Sequence, residues 1–584
     1  MTEKYSTDLL TQLPKLPLPS LEETLKRIVE WCTPIVGAAE QKKLAALIAD
    51  FQKSDAPELQ SLLKQQWVET NASWLTPVLR HHYLINRKPL QCTSNFALTV
   101  SPAQLPNLDQ ITMAAKLLQN FADQYLAYAS GDAPLETGLN GQPLDMSMYQ
   151  RLFRTQRQPG CQHDLLQKTR QTLTNIEATV IYRQTFYQVR LIDHAGRVST
   201  LRSLTEALIA IIQNTATDPV FTGAYTGLPR TTAAKLRQQL TTNKLNRDNL
   251  TRISNSLLVL TLQDSDKPLT AQSALLGSQD RFFDKTVQVF VSANTNIGFA
   301  FEHSQIDTAQ ALRLTDSVVA HLNQPADQWD SKGKPHFQQL EWQLDPDTKT
   351  ALGEASRKNA QIANRLTSAT TTISDLGTAQ LEKLTINPDA FIQIGLVLAE
   401  YHATGGWQNI TQTVSLRHFY QGRTDEMSTV SFEMKRFIQA FGDGQRDVTV
   451  RQLFDHAVSA YNERIGLGQT GMGIVRHLLG MHDMMRQNGG EAAFPEAAAF
   501  FNSPFLNQLV TPFFSTASIP MSIVDSYLTA PRSSDGYGIY YSVSTSKIKL
   551  TVSSWITNTF DAHEILTDIT DSLTELFNWV AEND

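Results

Sequence analysis

Residues 287–303 read Val287-Gln288-Val289-Phe290-Val291-Ser292-Ala293-Asn294-Thr295-Asn296-Ile297-Gly298-Phe299-Ala300-Phe301-Glu302-His303. Two apolar runs, β-branched in the first and aromatic in the second, flank a short turn rich in Asn. That pattern predicts a β-hairpin. His303 falls where the second strand ends, and Asp307 follows four residues later. An imidazole fixed at a strand end, with a carboxylate near enough to set its tautomer, suits a general base. A single His among thirteen is by itself more often structural than catalytic. Alternation along the strand sends Glu302 to the opposite face, where a structural role fits it better.

Outward from this hairpin, residues 92–345 mix strand-like runs (Thr179–Leu191, Leu257–Leu262, Val287–Ser292) with helical ones such as Ser203–Gln213. The polar segment Asp327–Pro346 holds two prolines and predicts a domain boundary near its end. Beyond it, Thr348–Leu366 and Pro388–Tyr401 read as helices. Tyr537–Val543 and Ile548–Ser554 read as strands, and Ala562–Ala581 as a closing helix. Helices and strands interleave without a strict βαβ rhythm, so the expected class is α/β (α+β mixed), with mixed sheets covered by helices. At the other end, Leu13-Pro14-Lys15-Leu16-Pro17-Leu18-Pro19 cannot be helical, because proline removes a donor and restricts its predecessor. Ser20 then caps a helix whose apolar stripe is Leu21, Leu25, Ile28, Val29 and Cys32.

Composition narrows the function. The 584 residues are 41% hydrophobic and 18% charged, with a net charge of -7, which excludes a disordered chain and argues against a nucleic-acid partner. Cys32, Cys92 and Cys161 are too few and too scattered for a disulfide framework or a CxxC metal site. The start Met1-Thr2-Glu3-Lys4 carries no apolar signal, and the end Glu582-Asn583-Asp584 carries no targeting tripeptide. No apolar run approaches the ~20 residues of a membrane span. These features predict a cytoplasmic protein without a membrane span. The string Gly466-Leu467-Gly468-Gln469-Thr470-Gly471 matches GxGxxG, but the residues before it read as helix, not strand, and this excludes a dinucleotide fingerprint. His477 and His482 lack an HExxH frame, and adjacent His81 and His82 read as structural, so no metal site is expected.

A series of segments then resembles one family, the choline/carnitine O-acyltransferases, from about Leu13 to the last helix. The resemblance is carried by the proline segment 13–19, Pro143-Leu144-Asp145-Met146 with Tyr149, and Arg157-Gln158-Pro159-Gly160. It continues through Arg281-Phe282-Phe283-Asp284-Lys285, Phe301-Glu302-His303-Ser304 and Asn387-Pro388-Asp389-Ala390-Phe391-Ile392-Gln393. Gly422-Arg423-Thr424-Asp425, Arg476-His477-Leu478-Leu479-Gly480 and Asp535-Gly536-Tyr537-Gly538 complete it. It implies a monomer of two chloramphenicol-acetyltransferase-like domains, residues 92–345 and residues 1–91 plus 346–584, with an active-site tunnel between them. It also implies reversible acyl transfer between coenzyme A, as cosubstrate, and the hydroxyl of carnitine, without a covalent acyl-enzyme or a permanently bound cofactor. His303 would be the base and Asp307 its orienting partner. Arg476 stands where carnitine-using members have an arginine that choline enzymes lack. Thr411, Thr413, Thr424 and Ser515 would complete the carnitine site, and Lys383, Asp389 and Ser518 would serve coenzyme A.

Several positions depart from the family pattern. Ala517 replaces the last serine of a Ser-Thr-Ser triplet thought to donate to the oxyanion, a loss worth about 3–4 kcal/mol unless Ser518 or a water takes over. Thr411 replaces a tyrosine, and Thr378 and Glu382 replace two lysines expected to meet the coenzyme A 3′-phosphate. Weaker coenzyme A affinity, or a different thioester donor, is therefore expected, with Lys383 one place away as a substitute. Ser544 falls near where short-chain members close the acyl pocket with a methionine, which would admit a longer chain. Two other readings stay open: transfer to choline or another amino alcohol, and a degenerate member that binds a ligand without catalysing.

Overall fold

The hairpin at 287–303 organises the first of two large sheets. A computed structural model describes residues 12–138, 140–214, 219–277, 279–324, 335–519 and 523–583; the start at Met1–Lys4 and much of the segment 327–346 lie outside the described residues. In chain order the strands are β1 (Asn95–Val100), β2 (Thr155–Gln158), β3 (Leu165–Lys168), β4 (Ile176–Tyr182), β5 (Thr185–Ile192), β6 (Val259–Gln263), β7 (Val287–Ser292), β8 (Ile297–Glu302) and β9 (Phe337–Gln339). They continue with β10 (Leu366–Ser374), β11 (Ile410–Ser415), β12 (Thr424–Ser428), β13 (Phe514–Ser518), β14 (Val524–Thr529), β15 (Tyr537–Val543) and β16 (Lys547–Trp555).

The described residues divide into two units, residue 12 and those within 82–366 and 523–530 in the first, and those within 13–81, 367–519 and 531–583 in the second. These limits differ from the expected 92–345. Residues 346–363 form a helix whose Leu352 and Ala355 pack with Ile181, Phe186 and Phe282 of the first unit. Residues 523–530 join that unit because β14 pairs antiparallel with β1, Phe96 opposite Thr529 and Leu98 opposite Tyr527. Two strands replace the single run read at 179–191. Arg183 and Gln184 turn between β4 and β5 with φ of 43° and 66°, a left-handed pair that suits a tight hairpin.

The first unit's sheet runs β14-β1-β8-β7-β6-β4-β5-β9. The pairs β7–β8 and β8–β1 are antiparallel, while β6–β7 and β4–β6 are parallel. The helix Gln110–Ser130 buries Met113, Leu117, Leu118, Phe121 and Tyr125; Asp109 caps its first N–H groups and Gly131 ends it at φ 83°. The second unit's sheet runs β10-β16-β15-β13-β11-β12. Its central helix, Pro388–Thr404, is buried from Ala390 to Glu400, which explains a sequence apolar on all sides. Gly395 faces the last helix, Ala562–Glu582, so closely that an added Cβ would lie 2.3 Å from Leu573 Cδ2.

Glu400 is fully buried on that central helix, and burial pushes its carboxyl up to about 7 against hydrogen bonds from Thr404 and the Gln408 backbone. A folded value above the unfolded one gives a contribution that is intact below about pH 4.5 and lost as pH rises through about 7. Glu400→Gln keeps the acceptor for Thr404 and removes the charge. Thermal unfolding should show a gain on the order of 3 kcal/mol at pH 8 and none at pH 4.

Candidate active site

β8 ends at Glu302, and His303 follows it with its backbone N–H on Ser94 O (3.1 Å). Its ring stacks on Tyr83 (centroids 5.6 Å apart) and meets Phe96 edge-on at 5.5 Å, leaving the side chain 23% exposed. Asp307 sits at the N-cap of the helix Thr308–Ala320 without capping it through its side chain. Its Oδ1 lies 3.5 Å from His303 Nδ1, and the carboxylate is 3% exposed. A carboxylate on that side favours the Nδ1–H tautomer, which leaves Nε2 as the basic nitrogen. Glu302 is turned inward, where it accepts from the backbone and hydroxyl of Ser304 and lies 3.5 Å from Arg157 Nη1.

Beneath the strand end runs a buried ionic network. Asp164 takes Arg157 Nε at 2.8 Å, Arg230 Nε at 2.6 Å and Arg87 Nη2 at 2.7 Å, and Arg230 also reaches Asp284 at 2.8 Å. Burial alone would raise Asp164, but Arg230 and Arg157 outweigh it and hold the carboxyl low. Arg157 thus ties Asp164 to Glu302, the residue before His303.

In the second unit, register gathers the acceptor-site candidates. Thr411 opposes Ser428, Thr413 opposes Glu426 and Ser415 opposes Thr424 across β11–β12, while Thr411 opposes Ser515 across β11–β13. Directly opposed residues share a face, so Thr411, Thr413, Thr424 and Ser515 do so together with Glu426. Arg476, on the helix Val475–Gln487, donates from Nε to Thr424 O (3.2 Å) and from Nη2 to Glu426 (2.7 Å). Ala517 shares the face of Ser515, but Ser518 is turned to the other one, opposite Tyr541. The hydroxyl of Ser518 therefore does not stand in for the one Ala517 lacks.

The coenzyme A candidates are less concentrated. Glu382 and Lys383 are exposed at the end of the short helix Thr378–Lys383. Asp389 accepts from the buried Tyr541 hydroxyl at 3.1 Å, and burial raises its carboxyl. Ser544 is exposed in the β15–β16 turn, its hydroxyl on Lys547 O.

The discarded motifs have structural roles. Gly466–Gly471 closes the helix Val448–Gln469, and Gly471 adopts φ 76°. His477 bonds Thr24 and Gln60, each at 2.7 Å, and burial lowers it to about 3. His81 pairs with Asp483. Among the described residues no cluster of His, Cys, Asp and Glu could hold a metal, and no helix is long and apolar enough to cross a membrane.

The sequence profile described as Choline/Carnitine o-acyltransferase matches residues 16–571. The chain belongs to that family. Among its relatives, a choline O-acetyltransferase of Mus musculus is 26% identical, covering 94% of this chain and 89% of the relative. A carnitine O-acetyltransferase of Homo sapiens is 26% identical, with coverage of 93% and 89%. A peroxisomal carnitine O-octanoyltransferase of Rattus norvegicus is 27% identical, with coverage of 93% and 92%. Choline and carnitine enzymes thus lie equally far away, and acceptor choice must be argued from the acyltransferase's own residues. Sequence reading missed three of these. Tyr83 packs on the imidazole, and Glu426 pairs with both Arg476 and Arg532. Glu426 was reachable by alternation, two places after Thr424; Arg532, in a loop, carries no periodic signal.

Proposed function

We propose that this acyltransferase moves an acyl group reversibly between coenzyme A and the hydroxyl of carnitine, with His303 as general base. The observation that carries this reading is the His303 ring, partly exposed, fixed between Tyr83 and Phe96 with Asp307 beside Nδ1. Nε2 takes the hydroxyl proton as the oxygen attacks the thioester carbonyl. Collapse of the tetrahedral intermediate breaks the C–S bond, and the leaving sulfur takes the proton back from the imidazolium. The reverse direction uses the same nitrogen to deprotonate the thiol. No step needs a covalent acyl-enzyme. Arg476 and the hydroxyls of Thr413, Thr424 and Ser515 favour an acceptor with a carboxylate, and exposed Lys383 serves the coenzyme A phosphate. Ala517 supports a second reading, a member that binds without turnover, since an oxyanion donor is missing.

One assay separates these readings. Acyl-CoAs of several lengths are incubated with L-carnitine or choline, and free thiol is followed. Carnitine-dependent release at least about tenfold above choline in kcat/KM is expected. Preference for choline would overturn the acceptor assignment, and absence of acceptor-dependent release would favour the non-catalytic member.

A further inference from the structure

Arg476 is already engaged. Its Nη2 lies 2.7 Å from Glu426 Oε1, and the same oxygen receives Arg532 Nη1 at 2.5 Å. Exposure separates the three side chains: 4% for Glu426, 11% for Arg476 and 44% for Arg532. Glu426 shares its sheet face with Thr413, Thr424 and Ser515 and so lies within the acceptor-site candidates. Two guanidiniums on one carboxylate leave a net positive charge there. Arg423, buried just before Thr424, falls by alternation on the opposite face, where burial and the Arg423 charge lower Arg80. The neighbouring carboxylate, Asp425, points to the opposite face, and burial raises it to about 6 despite Arg476. A cation-only acceptor therefore meets repulsion, whereas a carboxylate meets a donor array already aimed.

We propose that Arg532 is the guanidinium that contacts the carboxylate of the acceptor, and that Glu426 and Arg476 form the positioning pair that holds it there. The acceptor class is a hydroxy acid, zwitterionic or anionic, and not a simple amino alcohol. This deepens the acyl-transfer reading above and rests on it for the acceptor's hydroxyl. Arg476 is held close to the strand by Glu426 and Thr424 O, while Arg532, on the loop before β15, presents a far larger surface to an incoming anion. Planar bidentate recognition is what a guanidinium does best.

The test uses calorimetric binding and steady-state kinetics with L-carnitine and its methyl ester, which keeps the hydroxyl and the ammonium but lacks the carboxylate. Arg532→Ala should raise Kd and KM for L-carnitine by about 10- to 100-fold, with kcat within about twofold and the ester changed less than about threefold. Arg532→Lys should recover part of the loss. Glu426→Gln should raise KM for L-carnitine and not for the ester, read below its unfolding transition. Unchanged L-carnitine binding in Arg532→Ala, or an equal loss with the ester, would overturn the proposal. So would a wild-type protein that acylates other alcohols but does not bind L-carnitine, an outcome that leaves acyl transfer standing. Because binding is read without turnover, failure of carboxylate recognition and failure of acyl transfer are separately visible.

Discussion

His303→Ala should lower kcat for acyl transfer by about 10²- to 10⁴-fold, with little change in KM for the acceptor. The imidazole contributes most where the proton moves, in the transition state, so its loss appears in kcat. The side chain is partly exposed and its backbone bond to Ser94 survives truncation, while the contacts with Tyr83, Phe96 and Asp307 are lost. The thermal unfolding midpoint should therefore fall by no more than about 3 °C. Asp307→Ala leaves the base in place and removes its orienting charge; the loss should be smaller and again confined to kcat. Steady-state thiol release and a thermal melt check both variants.

Asp164→Ala is the second large effect, and it acts on stability. Three guanidiniums, Arg87, Arg157 and Arg230, converge on this carboxylate, and the last two are fully buried. Removing the shared anion leaves two buried cations without their main counter-charge, a change that costs about 3–5 kcal/mol. Arg230 retains Asp284 and Arg157 retains Glu302 at 3.5 Å, which limits the cost but does not cancel it. The first unit should melt at least about 5 °C lower. Activity should fall too at temperatures where the fold persists, because Arg157 then loses the contact that steadies Glu302 beside His303. Calorimetry and kcat on one preparation would show both.

What the sequence made legible follows the range of each interaction. Alternation over 287–303 is local, so β7, β8 and the position of His303 at the strand end could be read directly. Asp307 was within reach for the same reason. The helical character before Gly466 excluded a nucleotide loop because a fingerprint must follow a strand. The insertion of β14 beside β1 was not readable, since its partners are more than 400 residues apart and nothing local marks Tyr527 for one sheet over another. The turn at Arg183-Gln184 was missed because neither residue announces a positive φ. Ser518 shows the limit of placing a hydroxyl by motif spacing: strand alternation turns it away from the face of Ala517. Arg532 carries no periodic signal, and its ion pair with the buried Glu426 appears only in the fold.

In the proposed reaction the His303 imidazole carries the proton. Single-turnover thiol release from acyl-CoA and L-carnitine by the His303→Ala protein, titrated with free imidazole, tests it most directly. If His303 is the base, release is negligible without imidazole and rises in proportion to it, while the wild-type rate does not respond. Carnitine-dependent release at the wild-type rate, with His303 gone and no imidazole added, would contradict the claim.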